Sequence, residues 1–329
     1  MRQLAHRLPK ELMSRRGIII ANTGSPSAPT PEAVREYLSE FLTDPRICPM
    51  NPALWKIHLN AFILPKRSHA SAEKYQGIWT AEGSPLSANM ASLAAKLEDE
   101  LDDVPVRHAM SYGSPSMLDA VCELRDEGCA ELTVVSLYPQ SAYSTAKVVE
   151  DKLHAALVEL DWAPQLTFVE NYHEQDAYLD AIAASVRDAG FMQGDTLLMA
   201  FHSIPMKDVN AGDTYPDQVE ATTRAVAERL GLAEDAWRAG FQCRFDNRKW
   251  VGPSITKVLQ DIAPRDGRLF VVAPNFSIDC LETLYDIEVA MRNDYRAIAQ
   301  STDSNGFVYV PCLNDSDAHV RLLKDIVAA

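Results

Sequence analysis

"LLMAFHSIPMKD", residues 197–208, is an apolar run that ends abruptly in His202-Ser203-Ile204-Pro205. Five consecutive apolar residues read as a buried strand, and Pro205 has no N–H to continue a ladder, so the chain must leave the sheet there. A polar, titratable side chain thus stands at the carboxyl end of a buried strand. The same grammar recurs on both sides.

Upstream, "GIIIAN" (17–22) is broken by the proline-rich "TGSPSAPTP" (23–31), after which Thr30-Pro31-Glu32 opens a helical pattern with Val34, Tyr37, Leu38 and Phe41 on one face. A helix around 88–101, the strand "VPVRHAMSYG" (104–113), a helix at 117–127, the strand "ELTVVSLYPQ" (131–140), a helix at 145–159 and the strand "QLTFVE" (165–170) follow. Downstream, "DTLLMAFH" precedes a helix at 216–231, "AGFQCRF" (239–245) one near 253–262, "RLFVVAPN" (268–275) one at 279–299, and "GFVYVPC" (306–312) the last at 315–328. Alternating strands and helices mean α/β architecture, with parallel sheets covered by helices on their faces. The alternation restarts after about residue 165, which divides the 329 residues into two similar halves, 1–165 and 166–329. Ligands in such sheets bind beyond the carboxyl ends of the strands, here Asn22-Thr23, Tyr138, His202, Gln242-Cys243 and Asn275.

Composition narrows the chemistry. With 47% hydrophobic and 23% charged residues the chain is an ordinary globular protein, and a net charge of −15 argues against nucleic acid as a partner. Six cysteines without any C-x-x-C pair read as reduced thiols in a cytoplasmic protein. The basic start "MRQLAHRLPKELMSRRG" lacks the apolar core of a secretion signal; Leu4, Leu8 and Leu12 instead predict a short docked helix, with a membrane-surface helix as the alternative. The loop T-G-S-P-S fits neither a dinucleotide nor a phosphate-binding glycine motif. His173-Glu174 has Ala177 where a zinc protease needs histidine, and no G-x-S-x-G elbow is present.

What remains is His202 and an acidic helix, "IDCLETLYDIE" (278–288). Asp279, Glu282 and Asp286, three and four apart, would share one face of an α-helix. Two readings stand: a solvated face, or a mutually repelling row offset by a cation or a base function. His202 is likewise either a structural hydrogen-bonding residue or a neutral imidazole able to accept a proton or bind a transition metal.

Six ordered stretches resemble the ferrochelatases, which insert ferrous iron into a porphyrin: "TGSPSAPTPEAVREYLSEFLTDPR" (23–46), "AEKYQGIWTAEGSPL" (72–86), "LYPQ" with "ST" (137–145), "HSIPMKDVNAGDTYPDQVEATT" (202–223), "FQCRF" with "KWVGP" (241–253) and "DCLETLYDIE" (279–288). The resemblance implies two Rossmann-like halves around a porphyrin cleft. It places the family's active-site histidine on His202 and its catalytic glutamate on Glu282, both as metal contacts, with Asp279 and Asp286 as a proton or metal path. It further implies porphyrin contacts at Thr23, Tyr138, Ser144 and Trp250, and a lip over the pocket in "NPALWKIHLNAFILPK" (51–66), including Leu54 and Trp55. That lip is an apolar surface for porphyrin or for peripheral membrane contact, its alternative being an ordinary amphipathic helix. Metallation must remove two pyrrole protons, for which a histidine and a carboxylate are suited.

The substrates implied are protoporphyrin IX and Fe(II), the latter as substrate rather than resident cofactor, with neither a tightly bound cofactor nor an iron–sulfur cluster expected. Substrate hand-over from the preceding haem-pathway enzyme is a further expectation. Thr23, Ser141, Ala142 and Cys280 depart from the commonest family residues. They keep open a coproporphyrin III enzyme or a non-catalytic tetrapyrrole-binding relative.

Overall fold

The computed structural model describes residues 15–243, 248–262, 267–299 and 306–328. The expected helix through Leu4, Leu8 and Leu12 lies outside them, as do Arg244 and Phe245 at the end of "AGFQCRF". The first half runs β1 (Arg15–Gly24), α1 (Pro31–Thr43), α2 (Pro52–His58), α3 (Leu64–Ile78), α4 (Pro85–Asp99), β2 (Val106–Tyr112), α5 (Met117–Asp126), β3 (Cys129–Ser136), α6 (Ala146–Glu159) and β4 (Gln165–Val169). After α7 (Asp176–Asp188) come β5 (Thr196–His202), α8 (Met206–Asn210), α9 (Tyr215–Leu230), β6 (Trp237–Gln242), α10 (Ile255–Ile262), β7 (Leu269–Val272), α11 (Arg292–Ala299), β8 (Phe307–Tyr309) and α12 (Asp317–Ala328).

Two four-stranded sheets result, ordered β2-β1-β3-β4 and β6-β5-β7-β8, and every pairing is parallel. The order is the same in each. Because β4 completes the first sheet by pairing with β3, the chain leaves the first half after Val169 rather than at 165.

Both faces of each sheet are buried, and the period-2 pleat sorts the apolar runs between them. Ile18 and Ile20 face one core while Ile19 and Ala21 face another; Leu197, Met199 and Phe201 share the core of Ile18, whereas Leu198 and Ala200 pack with α10 and β7. The core that Ile18 and Phe201 share draws on α4, α7, α9 and α12, so the two halves are joined by continuous apolar packing. Among the described residues no helix is long and apolar enough to cross a membrane.

A polar seam reinforces this junction. The loop after β3 belongs to the first half but bonds mainly to the second. Gln140 Nε2 donates to Thr222 Oγ1 at 2.8 Å and to Tyr178 OH at 3.3 Å, Ser141 N to Gln218 Oε1 at 2.9 Å, and Tyr143 N to Asp213 Oδ2 at 2.7 Å. In return, Ser277 Oγ donates to the Leu137 carbonyl at 2.8 Å.

At the end of β1 the chain turns through Gly24 with φ +107°, and a Cβ there would stand 1.8 Å from the Tyr112 carbonyl oxygen. Only glycine fits both the dihedral and the space. Gly24→Ala should therefore cost roughly 3 kcal/mol or more of stability in urea denaturation. A loss below about 1 kcal/mol would mean that β1 and β2 separate at little cost.

Candidate functional site

In a sheet of order 2-1-3-4 the connections diverge between the first and third strands, and the crevice at their carboxyl ends is where ligands bind. Here both sheets contribute such a crevice to one cavity. Asn22, Thr23 and Gly24 end β1 and Ser25 follows it; Leu137, Tyr138 and Gln140 follow β3; His202 ends β5 and Ser203 follows it; Asn275, Phe276 and Ser277 follow β7. The cavity encloses about 1340 Å³ of non-atom space, its open mouth included. Its walls are largely apolar, among them Phe41, Ile47, Leu86, Ile204, Ile278 and Leu281. A concave apolar pocket with few polar groups is the usual form of a small-molecule site.

His202 is placed by the events that end its strand. Beyond Pro205 the chain is clamped to residues 249–251: Met206 N donates to the Lys249 carbonyl at 2.9 Å, Val251 N to the Ile204 carbonyl at 3.0 Å, and Ser203 Oγ to the Val251 carbonyl at 2.8 Å. This clamp brings Trp250 to the cavity. The His202 carbonyl accepts from Tyr215 OH at 2.8 Å, and Asp213 in turn accepts from Tyr215 N at 3.0 Å. Nδ1 of His202 lies 2.7 Å from the Ser203 carbonyl oxygen, which can only accept, so the ring proton sits on Nδ1 and the lone pair on Nε2. Burial depresses the His202 pKa, opposed by the charge of Glu282 and then by the Ser203 carbonyl and Asp286. The imidazole is neutral at pH 7 and lies within the field of a carboxylate.

The acidic segment departs from the expected α-helix. From Glu282 to Met291 the chain winds as a π-helix, with i→i+5 bonding in place of i→i+4. Asp279 precedes this helix, so the three carboxylates form no common row. Glu282 lines the cavity. Asp279 and Asp286 do not. The buried Asp279 carboxylate accepts from Thr283 Oγ1 at 2.9 Å, Tyr309 OH at 2.5 Å and Asn314 Nδ2 at 2.7 Å. Asp286 pairs with Lys74 Nζ at 2.9 Å and stands 3.9 Å from Cys243 Sγ. Uncharged donors surround Asp279 and a lysine pairs with Asp286.

Of the other expected contacts, Thr23, Tyr138, Ser144 and Trp250 all line the cavity. Thr23 lies close to Tyr37 and Tyr138, and it offsets part of the upward push that burial gives both phenols. Ser141 is buried in the seam between halves and does not line the cavity, whereas Ala142 does.

Leu54 and Trp55 do not line the cavity either. Trp55 Nε1 donates to the Leu42 carbonyl at 2.6 Å, and Leu59 and Leu64 anchor the lip segment inward, which leaves Leu54 65% exposed, with Ile57, Phe62 and Met50 beside it in the chain.

Several residues escaped the sequence reading. Tyr37 lines the cavity and donates to the Gly24 carbonyl at 3.1 Å; Arg46, Lys207 and Arg248 also line it. Asp151 binds Arg46 through both guanidinium and carboxylate forks, and Arg248 lies 5.4 Å from the Trp250 ring centroid. Arg67, its pKa lowered by burial, is near enough to Glu282, Cys243 and Asp286 to feel their charges. The signal available for Arg46, Arg248 and Tyr37 was their place inside or beside the quoted stretches.

A family model described as Ferrochelatase matches residues 15–329. The ferrochelatase of Vibrio cholerae serotype O1 is 41% identical over 315 residues, covering 94% of this chain and 97% of that protein. That of Thioalkalivibrio sulfidiphilus is 40% identical over 319 residues, covering 94% and 85% respectively. Among solved structures, SirB from Bacillus subtilis with Fe3+ superposes with a TM-score of 0.58 at 9% identity, over 95% of this chain and 94% of that one. At that identity the likeness speaks for the fold alone.

The opposed effects on His202 have signs that can be measured. Its imidazole should titrate below the ordinary value of about 6.5 in NMR spectra of the ring nitrogens, since burial dominates. Glu282→Gln removes the largest opposing charge, so the midpoint should fall further. A midpoint that rises in the variant would contradict the arrangement.

Proposed function

The chain belongs to the ferrochelatase family, and we propose that it inserts Fe(II) into protoporphyrin IX to give haem b, with His202 and Glu282 as its catalytic pair. The observation that carries this reading is a neutral imidazole and a carboxylate lining the same apolar cavity at the switch points of two sheets. In insertion the porphyrin loses two N–H protons and gains one Fe²⁺, so two positive charges must leave the macrocycle on protons as two arrive on the metal. The Nε2 lone pair of His202 takes a pyrrole proton or contacts the metal; the Glu282 carboxylate balances the charge and passes protons outward.

The apolar walls suit a macrocycle with vinyl as well as carboxylate substituents, and Arg46, Lys207 and Arg248 suit its propionates. Coproporphyrin III carries four such acids and no vinyl groups. A steady-state comparison of the two porphyrins therefore tests the substrate: faster turnover of coproporphyrin would replace protoporphyrin in the proposal.

The exposed lip supports transient attachment of a cytoplasmic protein to an anionic lipid surface, where a poorly soluble porphyrin could be handed over by the preceding enzyme. Residues 45–72 contain no Asp or Glu, in a chain of net charge −15, and Lys56 and Lys66 are exposed among them. Cationic, apolar surface of this kind is attracted to anionic headgroups. Binding to vesicles containing phosphatidylglycerol should exceed binding to neutral vesicles, and Leu54→Ser with Phe62→Ser should weaken it. Equal binding to both vesicle types would remove the attachment from the proposal.

The catalytic assignment has its own test. His202→Ala should abolish insertion while leaving the far-UV circular dichroism unchanged. Glu282→Gln keeps shape but loses charge and basicity, and should slow insertion roughly a hundredfold. Asp286→Asn, outside the cavity and paired with Lys74, should cost much less. Near wild-type rates in the first two variants would return both residues to structural roles.

A further inference from the structure

We propose that Asp279 is a positioning residue, whose carboxylate, held by Thr283, Tyr309 and Asn314, fixes the first turn of the π-helix and with it the place of Glu282. The proposal rests on the reading of Glu282 as catalytic.

Both carboxylate oxygens are committed. Oδ1 accepts from Thr283 Oγ1 and Tyr309 OH, and Oδ2 from Asn314 Nδ2. Asn314 also accepts from the Asp279 N–H, through Oδ1 at 2.8 Å, so one amide side chain grips both ends of the residue. Asn314 is itself held in the left-handed region at φ 50°. Its N–H donates to the Ser277 carbonyl at 3.0 Å, and its carbonyl faces His319 Nδ1 at 2.6 Å. The grip therefore extends from the π-helix through the end of β8 to the buried first turn of α12.

On the other side, Thr283 transmits it. Its hydroxyl accepts from Cys280 N at 2.9 Å while donating to Asp279, which closes the turn on which Glu282 sits. Leu281, at the cap position, provides no side-chain hydrogen bond, so this hydroxyl does the work of a cap.

A proton path through Asp279 fits these surroundings poorly. Burial pushes the Tyr309 phenol and the Cys312 and Cys280 thiols up, so all three keep their protons. His319, one residue further along the chain of contacts, is held down at about 4 by burial and stays neutral. Around Asp279 stand donors that keep their protons, which is what an anchoring carboxylate requires.

The test uses zinc insertion into protoporphyrin by the full chain. Asp279→Asn sets an amide N–H₂ against that of Asn314, and misplacement of Glu282 by about 1 Å should lower kcat roughly tenfold to a hundredfold. The porphyrin KM and the shape of the pH–rate profile should stay as in the wild type. Adding Asn314→Asp exchanges the two groups and restores every hydrogen bond, so the double variant should recover to within a few-fold of wild type.

A folded double variant as slow as Asp279→Asn, or a pH profile that loses a limb, would overturn the proposal, because charge at position 279 would then be what matters. Should neither variant fold, Tyr309→Phe keeps the carboxylate and removes one of its donors: a several-fold fall in kcat at unchanged KM supports positioning, and an unchanged kcat overturns it. Failure of the wild type to insert any metal would instead retire the reading of Glu282 on which the proposal stands.

Discussion

The amide of Gln140, hydrogen-bonded to Thr222 and Tyr178 in a site almost closed to water, belongs to the seam on which the geometry of the cavity depends. Each sheet can place only half of the lining residues. Tyr138 comes from one half and His202 from the other, and their separation is set by how the loop after β3 seats against α9 and the 211–215 turn. Removing one partner from a buried hydrogen bond leaves the other unsatisfied, at about 1–3 kcal/mol each, so several together specify one relative placement of the halves. Apolar packing alone would allow the sheets to slide. The seam and the shared core thus divide the labour: the core supplies affinity between halves, the seam their register.

The same constraint accounts for what could and could not be read from sequence. Strands such as "GIIIAN" and "LLMAF" were legible because a parallel strand buried on both faces must be apolar throughout, and because proline or polar residues mark where it stops. Of the carboxyl ends read from sequence, Asn22-Thr23, Tyr138, His202 and Asn275 line the cavity, whereas Gln242-Cys243 does not. The acidic segment misled, since spacings of three and four describe an α-helix and the chain adopts a π-helix; nothing local in "ETLYDIEVAM" announces the wider turn. The partners of its acids lie far away in sequence, with Lys74 212 residues from Asp286 and Asn314 35 from Asp279. Ser141 illustrates the converse. Beside "YPQ" it stood out only as a departure from the commonest family residue, yet it faces Gln218 across the seam, a role visible only when both halves are in place.

Burial acts on the imidazole and on the phenols of the cavity through one mechanism with opposite results. For an imidazole, desolvation penalises the protonated form, and His202 therefore offers a lone pair at neutral pH. The Glu282 carboxylate nearby moderates the effect without cancelling it. The two phenols near Thr23 are pushed the other way and remain neutral donors. The cavity thus holds a neutral imidazole and a set of neutral hydroxyls before any substrate arrives.

Positive charge is arranged unequally around the site. Arg46, Lys207 and Arg248 line the cavity with the apolar walls, where they can meet a substrate's acids. Arg67 and Lys74 stand behind Glu282, close to Asp286 and Cys243. A bare acidic channel would bind a divalent cation too well to release it; an acid already paired with lysine exchanges its partner at lower cost and holds the incoming ion more weakly. In the proposed reading the Lys74–Asp286 pair weakens the hold of Asp286 on an incoming ion, while the anchored Asp279 keeps Glu282 in place.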